Sequence, residues 1–299
     1  MSEKVTNRAR RAGRRTVRNK HELPRAVGLA LLAPVTFLLA ILFVWPFLSL
    51  FWTSVSDPTL GLQNFTSFFN TPSYVRATLT TFRVTLVVAT FALALGVMIA
   101  WKLRTSRSTL MRLLLWSALI LPLWQSVVIR NYAFTILLER TGVVNTTLNA
   151  TGVINQPMDL LYTEFAVTIG MLYSLLPYAI LPVYASFQAI DMELLSAARS
   201  AGASKARAFV SIVVPLSLPS LLASFAIVFI LGLGFYITPV VLGGAGSPFL
   251  ATVIDQQIYG LFDLPLAAAT STLLFIEAVI ILIVAVKTVG FDRIRRAVA

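Results

Sequence analysis

Long runs of apolar residues are the feature that most constrains how this chain can fold. A helix needs about 20 predominantly apolar residues to cross the hydrocarbon core of a bilayer. Six runs meet this requirement approximately: Val27–Phe51, Leu79–Trp101, Leu110–Leu137, Phe165–Ile190, Val214–Leu242 and Pro265–Val286. With 58% hydrophobic and 12% charged residues, the chain is also far more apolar than a soluble domain of its size. The sequence therefore predicts an all-α membrane protein with six transmembrane helices.

The positive charges are distributed unevenly along the chain. Nine of the 24 Lys and Arg residues precede Val27, and most of the others lie in alternate loops between the apolar runs. Because Lys and Arg concentrate in cytoplasmic loops, this distribution predicts that both ends of the chain lie inside. The remaining basic residues, Arg76, Arg83, Arg130 and Arg140, then lie in outer loops or in the outer half of a span. We expect residues 1–26 to form a basic cytoplasmic tail and residues 27–299 to form one membrane domain.

Several kinds of chemistry are excluded by the composition. The chain has no cysteine and a single histidine, His21, so it lacks the thiolate and imidazole groups of common metal sites and nucleophilic dyads. No aromatic residue is interleaved with the charges of the tail, which argues against nucleic-acid binding. The phosphate-binding pattern G-x-x-x-x-G-K-S/T is also absent. We expect no catalytic residue, no metal, no cofactor and no nucleic-acid partner.

The loop between the fourth and fifth runs, residues 191–213, is polar enough to leave the bilayer yet has a helical pattern. Asp191 can cap a helix over Met192–Ala201, because its side chain can accept hydrogen bonds from the first free N–H groups. Gly202 suits the left-handed position that ends such a helix. Ser204 can cap a second short helix. The sequence predicts two short helices at an angle, which together make a projecting knob.

Small and apolar residues alternate through this loop. The alanines would allow a partner surface to approach closely, while Leu194, Leu195 and Phe209 can anchor the loop to the membrane core. Two alanines are followed four residues later by Gly202 and, after an apolar patch, by Pro215 thirteen residues beyond it. This spacing resembles the EAA loop of binding-protein-dependent ABC importer permeases of the type I fold.

In that family the EAA loop is the coupling helix that sits in a groove of the ATP-hydrolysing subunit. The resemblance implies the same role here, toward a cytoplasmic ABC ATPase dimer. One position departs from the family pattern: Ser196 stands where the family usually has Glu, and the nearest acid is Glu193. The coupling residues implied by the resemblance are Glu193, Ser196, Ala197, Ala198, Gly202, Phe209 and Pro215.

Other segments resemble the polyamine branch of this family, the permeases for spermidine and putrescine. They are residues 126–133, 160–166, 176–186 and 239–244, and the resemblance covers about residues 79–286. It implies a multi-pass permease of the bacterial inner membrane, surrounded by lipid, which forms half of the translocation path and leaves ATP hydrolysis to a separate subunit. It further implies a second permease subunit and a periplasmic or extracellular solute-binding protein as partners.

The fifth run contains residues that disturb a helix. Gly232, Gly234 and Pro239 lie within eight residues, and glycine and proline weaken the regular hydrogen-bond ladder. Irregular backbone at membrane depth is tolerated only against protein or a water-filled cavity, so Phe235, Tyr236 and Thr238 are candidates for the translocation path or gate. The alternative is that the glycines are packing sites for a close helix crossing.

Ionisable and aromatic side chains supply further candidates for the path. Glu277 lies near the middle of the sixth run, where a charge is costly, and could neutralise a cation in transit, pair with Arg130 or Arg83, or be protonated. A polyamine would be attracted by carboxylates and by aromatic faces. The predicted path residues are Glu164, Tyr178, Tyr236, Asp255 and Glu277.

Two alternatives to polyamine import stay open at this point. Related permeases of the same fold carry sulfate, ferric iron, phosphonate or thiamine, so another small solute is the first alternative. The second is a membrane scaffold without a pore. A membrane-embedded enzyme would need a cluster of acids or histidines, and the sequence shows neither.

Overall fold

The computed structural model describes residues 25–57, 59–244 and 248–289, and in this part of the chain the regular structure is helical, without strands. The chain divides into two units, Met1–Ser49 and Leu50–Ala299. Most of the basic tail predicted over residues 1–26 lies outside the described residues, as do the last ten residues of the chain.

The N-terminal unit contains the first candidate span. Helix α1 (Arg25–Leu39) continues through a π-helical turn, Ala40–Val44, into α2 (Trp45–Ser56), which extends past the division at Ser49. Pro34 lies inside α1, and its ring and missing N–H are tolerated without ending the helix. The run Leu31–Ser56 is long and apolar enough to cross a membrane.

The larger unit contains the other helices. Its helices are α3 (Gln63–Asn70), α4 (Pro72–Thr105), α5 (Thr109–Trp124), α6 (Val127–Leu138), α7 (Val143–Ala150), α8 (Glu164–Ala189), α9 (Met192–Ser200), α10 (Lys205–Ala208), α11 (Val214–Leu233), α12 (Leu250–Asp255) and α13 (Leu264–Val289). Further π-helical turns occupy Phe209–Val213, Pro239–Gly243 and Gln256–Gly260.

Helices α4, α8 and α11 form the packed centre of this unit. Small residues allow the backbones to approach, as is common between membrane helices: a Cβ added to Gly96 on α4 would lie only 3.3 Å from the Cβ of Ala179 on α8. One buried apolar cluster includes Met171 and Phe229. A second cluster, which includes Phe187, extends to the loop that follows α8. The site described below is built on this three-helix centre.

The third predicted span is not one continuous helix. Gln125 and Ser126 have extended backbone and separate α5 from α6. The helical segments on the two sides of this break are bent by 112°. The prediction of one continuous span over Leu110–Leu137 is therefore wrong, because hydropathy measures how apolar a run of residues is and carries no information on the direction of the backbone.

The described residues contain five helices that are long and apolar enough to cross a membrane, or six if the bent pair α5–α6 is one span. This agrees with the predicted all-α membrane fold. The fifth span is displaced toward the N-terminus, since its helix covers Lys205–Leu233 instead of Val214–Leu242. Its predicted final third is broken backbone and a π-helical turn.

Candidate functional site

The polar loop before the fifth span begins with the helix cap that the sequence predicts. The Asp191 side chain accepts a hydrogen bond from the backbone N–H of Glu193 at 2.9 Å, and α9 starts at Met192. An Asp at this position satisfies one of the N–H groups that a helix start leaves free. Arg104, at the end of α4, donates a hydrogen bond to the carbonyl of Ile190. The start of the loop is thus tied to the membrane helices.

The end of α9 is equally well defined. Gly202 has a φ of +91°, in the region that favours glycine. The N–H of Gly202 donates to the carbonyl of Arg199, and the N–H of Ala203 donates to the carbonyl of Ala198, both at 3.0 Å. These two bonds make a Schellman motif, which satisfies carbonyls that the helix end would leave free. Gly202 therefore fixes the direction in which the chain leaves α9.

The second predicted short helix is not separate from the fifth span. Ser204 caps it as predicted, with its hydroxyl accepting a hydrogen bond from the N–H of Arg207 at 3.2 Å. However, α10 passes through the π-helical turn Phe209–Val213 directly into α11. The wide turn ends at Val213, directly before Val214 and Pro215; Pro215 has no N–H to donate, and it is tolerated there because it lies in the first turn of α11. The loop is one short helix, a tight turn and the projecting start of a long helix.

The faces of α9 are distinguished by burial. Leu195 is only 8% exposed and packs in the cluster around Phe187 with the half-buried Phe209, as predicted for two of the three anchors. Leu194, the third, is exposed. Ala198 lies on the half-buried side with Leu195. Of the predicted coupling residues, Glu193, Ser196, Ala197 and Gly202 are exposed.

The break between α5 and α6 is held by polar side chains. Arg130 is 7% exposed and donates a hydrogen bond from Nη1 to the carbonyl of Pro122 at 3.2 Å. The hydroxyl of Tyr173 on α8 donates to Oε1 of Gln125 at 2.8 Å. Broken backbone at membrane depth requires such partners, because lipid offers none. Arg130 also carries its positive charge to the C-terminal end of α5, where a helix dipole favours it.

The fifth span is broken after Leu233, and its glycines have different roles. A Cβ on Gly232 would meet Cγ2 of Thr85 at 2.6 Å, so this glycine is a packing site. A Cβ on Gly234 would meet nothing within 4 Å. The packing interpretation thus holds for Gly232, and a role of the broken segment in the translocation path stays a prediction. Past the break, Thr238 donates a hydrogen bond to Oδ1 of Asn131 at 3.0 Å, and both residues are fully buried.

The two breaks meet at one cavity. It has a volume of about 380 Å³ and lies between α5, α6, α8 and the end of α11. Gln125 and Arg130 from the first break, Phe235 from the second and Tyr178 from α8 line it. Sites between discontinuous helices near membrane depth are typical of transporters. Of the predicted path residues, Tyr178 contributes to this cavity.

The other predicted path residues lie in three different surroundings. Tyr236 lies beside the Asp255 carboxylate, so the structure brings these two together. Glu164 forms an ion pair with Arg83, with Nη2 2.5 Å from both carboxylate oxygens. Glu277 is half-buried and lines a separate, mostly apolar cavity of about 380 Å³. Neither Arg83 nor Arg130 lines this cavity.

The expectation that Glu277 could pair with Arg130 or Arg83 is therefore not met. Arg83 binds Glu164, and Arg130 binds the Pro122 carbonyl. Asn131 and Gln125 were not predicted from the sequence as structural residues. The signal that could have found them is a polar residue inside an apolar run, since such residues in membrane segments usually have a partner.

The segment between α6 and α8 folds around one buried side chain. Asn145 donates hydrogen bonds to the carbonyls of Glu139 and Met158 and accepts one from the N–H of Met158. An exposed ion pair joins Arg140 to Asp159 at 3.1 Å. Beside it lies a surface cavity of about 430 Å³. This segment is a structured surface on the predicted outer side.

A comparison with protein families gives the decisive observation. Residues 25–298 match the family described as "Binding-protein-dependent transport system inner membrane component". This chain belongs to that family. The protein is therefore a permease subunit of an ABC importer in the inner membrane. It is not an enzyme, because ATP hydrolysis belongs to a separate subunit.

Curated relatives are similar over most of the permease. The spermidine/putrescine transport system permease protein PotB of Escherichia coli (strain K12) is 35% identical over 223 residues, which are 75% of this chain and 80% of PotB. PotB of Haemophilus influenzae is 30% identical, over 71% of this chain and 73% of that protein. The sulfoquinovosyl glycerol transport system permease protein SmoG of Agrobacterium fabrum is 28% identical, over 84% of this chain and 86% of SmoG.

Solved structures confirm the fold. A chain of a bacterial ABC transporter involved in the import of the acidic polysaccharide alginate superposes with a TM-score of 0.74, at 18% identity, over 96% of the permease and 98% of that chain. A chain of the MetNI methionine ABC transporter in inward-facing conformations gives a TM-score of 0.55, at 20% identity, over 75% of the permease and 95% of that chain. As a family member, the permease works with a solute-binding protein and an ATPase.

Proposed function

We propose that the permease imports a polyamine of the spermidine and putrescine class. The observation that carries this proposal is the similarity to PotB, at 35% identity over three quarters of the chain. The polyamine is the substrate class that the sequence motifs also indicate.

Two copies of the fold are needed for a sealed route, and we propose that a second permease subunit supplies the other half. The loop made of α9 and the start of α10 docks on the ATPase dimer. Glu193, Ser196, Ala197 and Gly202 face that partner, while Ala198, Phe209 and Pro215 support the loop from the membrane side. The N- and C-termini then lie inside with the loop, as the basic residues predict.

The cavity between the two helix breaks is proposed as this subunit's part of the translocation path. Tyr178 and Phe235 offer ring faces, which attract an ammonium group by about 0.5–2 kcal/mol each. Arg130 would repel a polycation, but its guanidinium is held by the Pro122 carbonyl. Asp255, beside Tyr236, is the proposed acid that a polyamine meets on the outer side. Glu164 forms an ion pair with Arg83, and Glu277 lines a different cavity. Neither is part of the proposed path.

The substrate is tested by stimulation of ATP hydrolysis. The complete importer, with both permease subunits, the ATPase and the solute-binding protein, is assembled in lipid nanodiscs. Putrescine and spermidine should raise the rate of ATP hydrolysis several-fold above the rate without solute. Stimulation by sulfate, thiamine or a sulfoquinovosyl glycerol, with no response to any polyamine, would refute the proposed substrate while leaving the fold and family intact.

A further inference from the structure

The turn between α9 and α10 encloses a concave surface on the side that faces away from the membrane helices. This concavity has a volume of about 700 Å³. Arg199 from the last turn of α9 and Lys205 from the first turn of α10 both line it, together with the hydroxyl residues Ser196, Ser200 and Ser204. The Schellman motif at Gly202 and the cap at Ser204 fix its shape.

The charge of this concavity is uncompensated. Its lining contains two cations and no carboxylate. The ion pairs of the described residues, Arg83 with Glu164 and Arg140 with Asp159, lie elsewhere in the fold. The acids of the loop itself, Asp191 at the N-cap and Glu193 in the first turn, lie at the opposite end of α9 from the turn.

Ser196 explains why Arg199 is left without a partner. Residues three apart on a helix are neighbours, and an acid at position 196 would pair with Arg199. The serine present here directs its hydroxyl to the carbonyl of Met192 at 3.2 Å instead. The guanidinium of Arg199 can therefore reach outward into the concavity.

We propose that this concavity binds a carboxylate of the ATPase subunit, so that the permease contributes positive charge to the docking contact. The inference rests on the proposed docking of this loop and adds the charge of the partner surface. An Asp or Glu side chain between Arg199 and Lys205 would receive charge-assisted hydrogen bonds from both sides. The partner groove is accordingly acidic where it meets the turn.

The sharpest test uses a single substitution at position 196. Permease assembled in nanodiscs of phosphatidylcholine is titrated with its ATPase, and the dissociation constant is measured at several salt concentrations. Ser196→Glu should weaken binding about five- to tenfold at low salt, as expected for about 1 kcal/mol, because the new acid pairs with Arg199 and repels the carboxylate. Ser196→Gln is the reference for the added length. Tighter binding by the Glu variant than by the Gln variant would overturn the proposal.

Charge reversal gives an independent test. Arg199→Glu combined with Lys205→Glu should weaken binding at least tenfold and flatten its dependence on salt. Arg107→Glu is the matched control, since Arg107 is an exposed basic residue in the loop between α4 and α5, outside the concavity. An equal effect of the control would show a general surface charge effect and refute the proposal.

Failure of the charge inference can be separated from failure of docking. Ala197→Trp places a large side chain on the exposed face of α9. Loss of binding in this variant, with no effect of the charge variants, would refute the carboxylate and retain the docking loop. Unchanged binding in all variants would refute docking itself.

The carboxylate can also be captured directly. A carbodiimide joins a lysine amine to a carboxylate in direct contact, and mass spectrometry should identify an amide between Lys205 and an Asp or Glu of the ATPase. Lys205→Arg keeps the charge and should remove the cross-link. Absence of this cross-link, together with Lys205- and Arg199-dependent binding to phosphatidylglycerol vesicles, would assign the cations to the membrane surface and overturn the proposal.

Discussion

The hydroxyl of Thr238 donates a hydrogen bond to the side-chain oxygen of Asn131 at 3.0 Å, and neither residue is accessible to solvent. This bond joins α6, which follows the break in the third span, to the segment that follows the break in the fifth. The amide of Asn131 also donates to the carbonyl of Val127. The two interrupted helices are therefore connected by one buried polar contact.

Removal of the Thr238 hydroxyl should destabilise this connection. Thr238→Val keeps the shape of the side chain but leaves Oδ1 of Asn131 buried without its donor, at a cost of about 1–3 kcal/mol. We expect a lower midpoint of thermal unfolding in detergent and slower uptake. In the double variant Thr238→Val with Asn131→Leu, part of the lost stability should return, because fewer buried polar groups are unpaired. Additive losses would contradict this account.

Glycines at close helix contacts should tolerate no added methyl group. A Cβ on Gly170 would lie 2.7 Å from Cδ1 of Leu242 and 2.8 Å from Cγ2 of Thr238. Gly170→Ala and Gly232→Ala should each lower stability by about 1–3 kcal/mol through overpacking. Gly234→Ala is the control, since nothing lies within 4 Å of the added atom. Thermal unfolding of the three variants checks this order, and equal behaviour would show that the contacts are not tight.

The left-handed conformation of Gly202 predicts a graded series of variants. Asn adopts this conformation more readily than Ala, and β-branched Val is the least favourable. Uptake per ATP hydrolysed should therefore fall in the order Gly, Asn, Ala, Val, because the direction of the turn that meets the ATPase is altered. Subunit association on size-exclusion chromatography separates loss of docking from loss of coupling. A Val variant that couples normally would rule out a role for this backbone conformation.

Two acids on the predicted outer side should respond differently to neutralisation. Asp255→Asn should slow polyamine uptake several-fold at saturating loaded binding protein, since Asp255 faces Tyr236 near the second helix break. Glu164→Gln should have a small effect, because Glu164 is occupied by Arg83 and an exposed pair contributes only about 0–1 kcal/mol. Transport assays with both variants measure the difference. A larger effect of Glu164→Gln than of Asp255→Asn would contradict the proposed path and indicate that the polyamine passes along the start of α8.

The sequence predicted local features well and long-range ones poorly. The caps at Asp191 and Ser204 and the turn at Gly202 depend on residues only a few positions apart, so composition and spacing were sufficient. The break at Gln125 was missed because an apolar run gives no sign of backbone direction. The contact between Asn131 and Thr238 joins residues 107 positions apart and depends on how the helices pack. Pairing of Glu164 with Arg83, 81 positions apart, was missed for the same reason.

The proposed transport function is tested most directly by uptake into proteoliposomes. The importer, assembled with its ATPase, second permease subunit and solute-binding protein, is given labelled putrescine outside and ATP inside. The account predicts accumulation that requires ATP, is competed by spermidine and is lost when this permease is omitted. Accumulation of another solute, with no ATP-dependent entry of any polyamine, would contradict it.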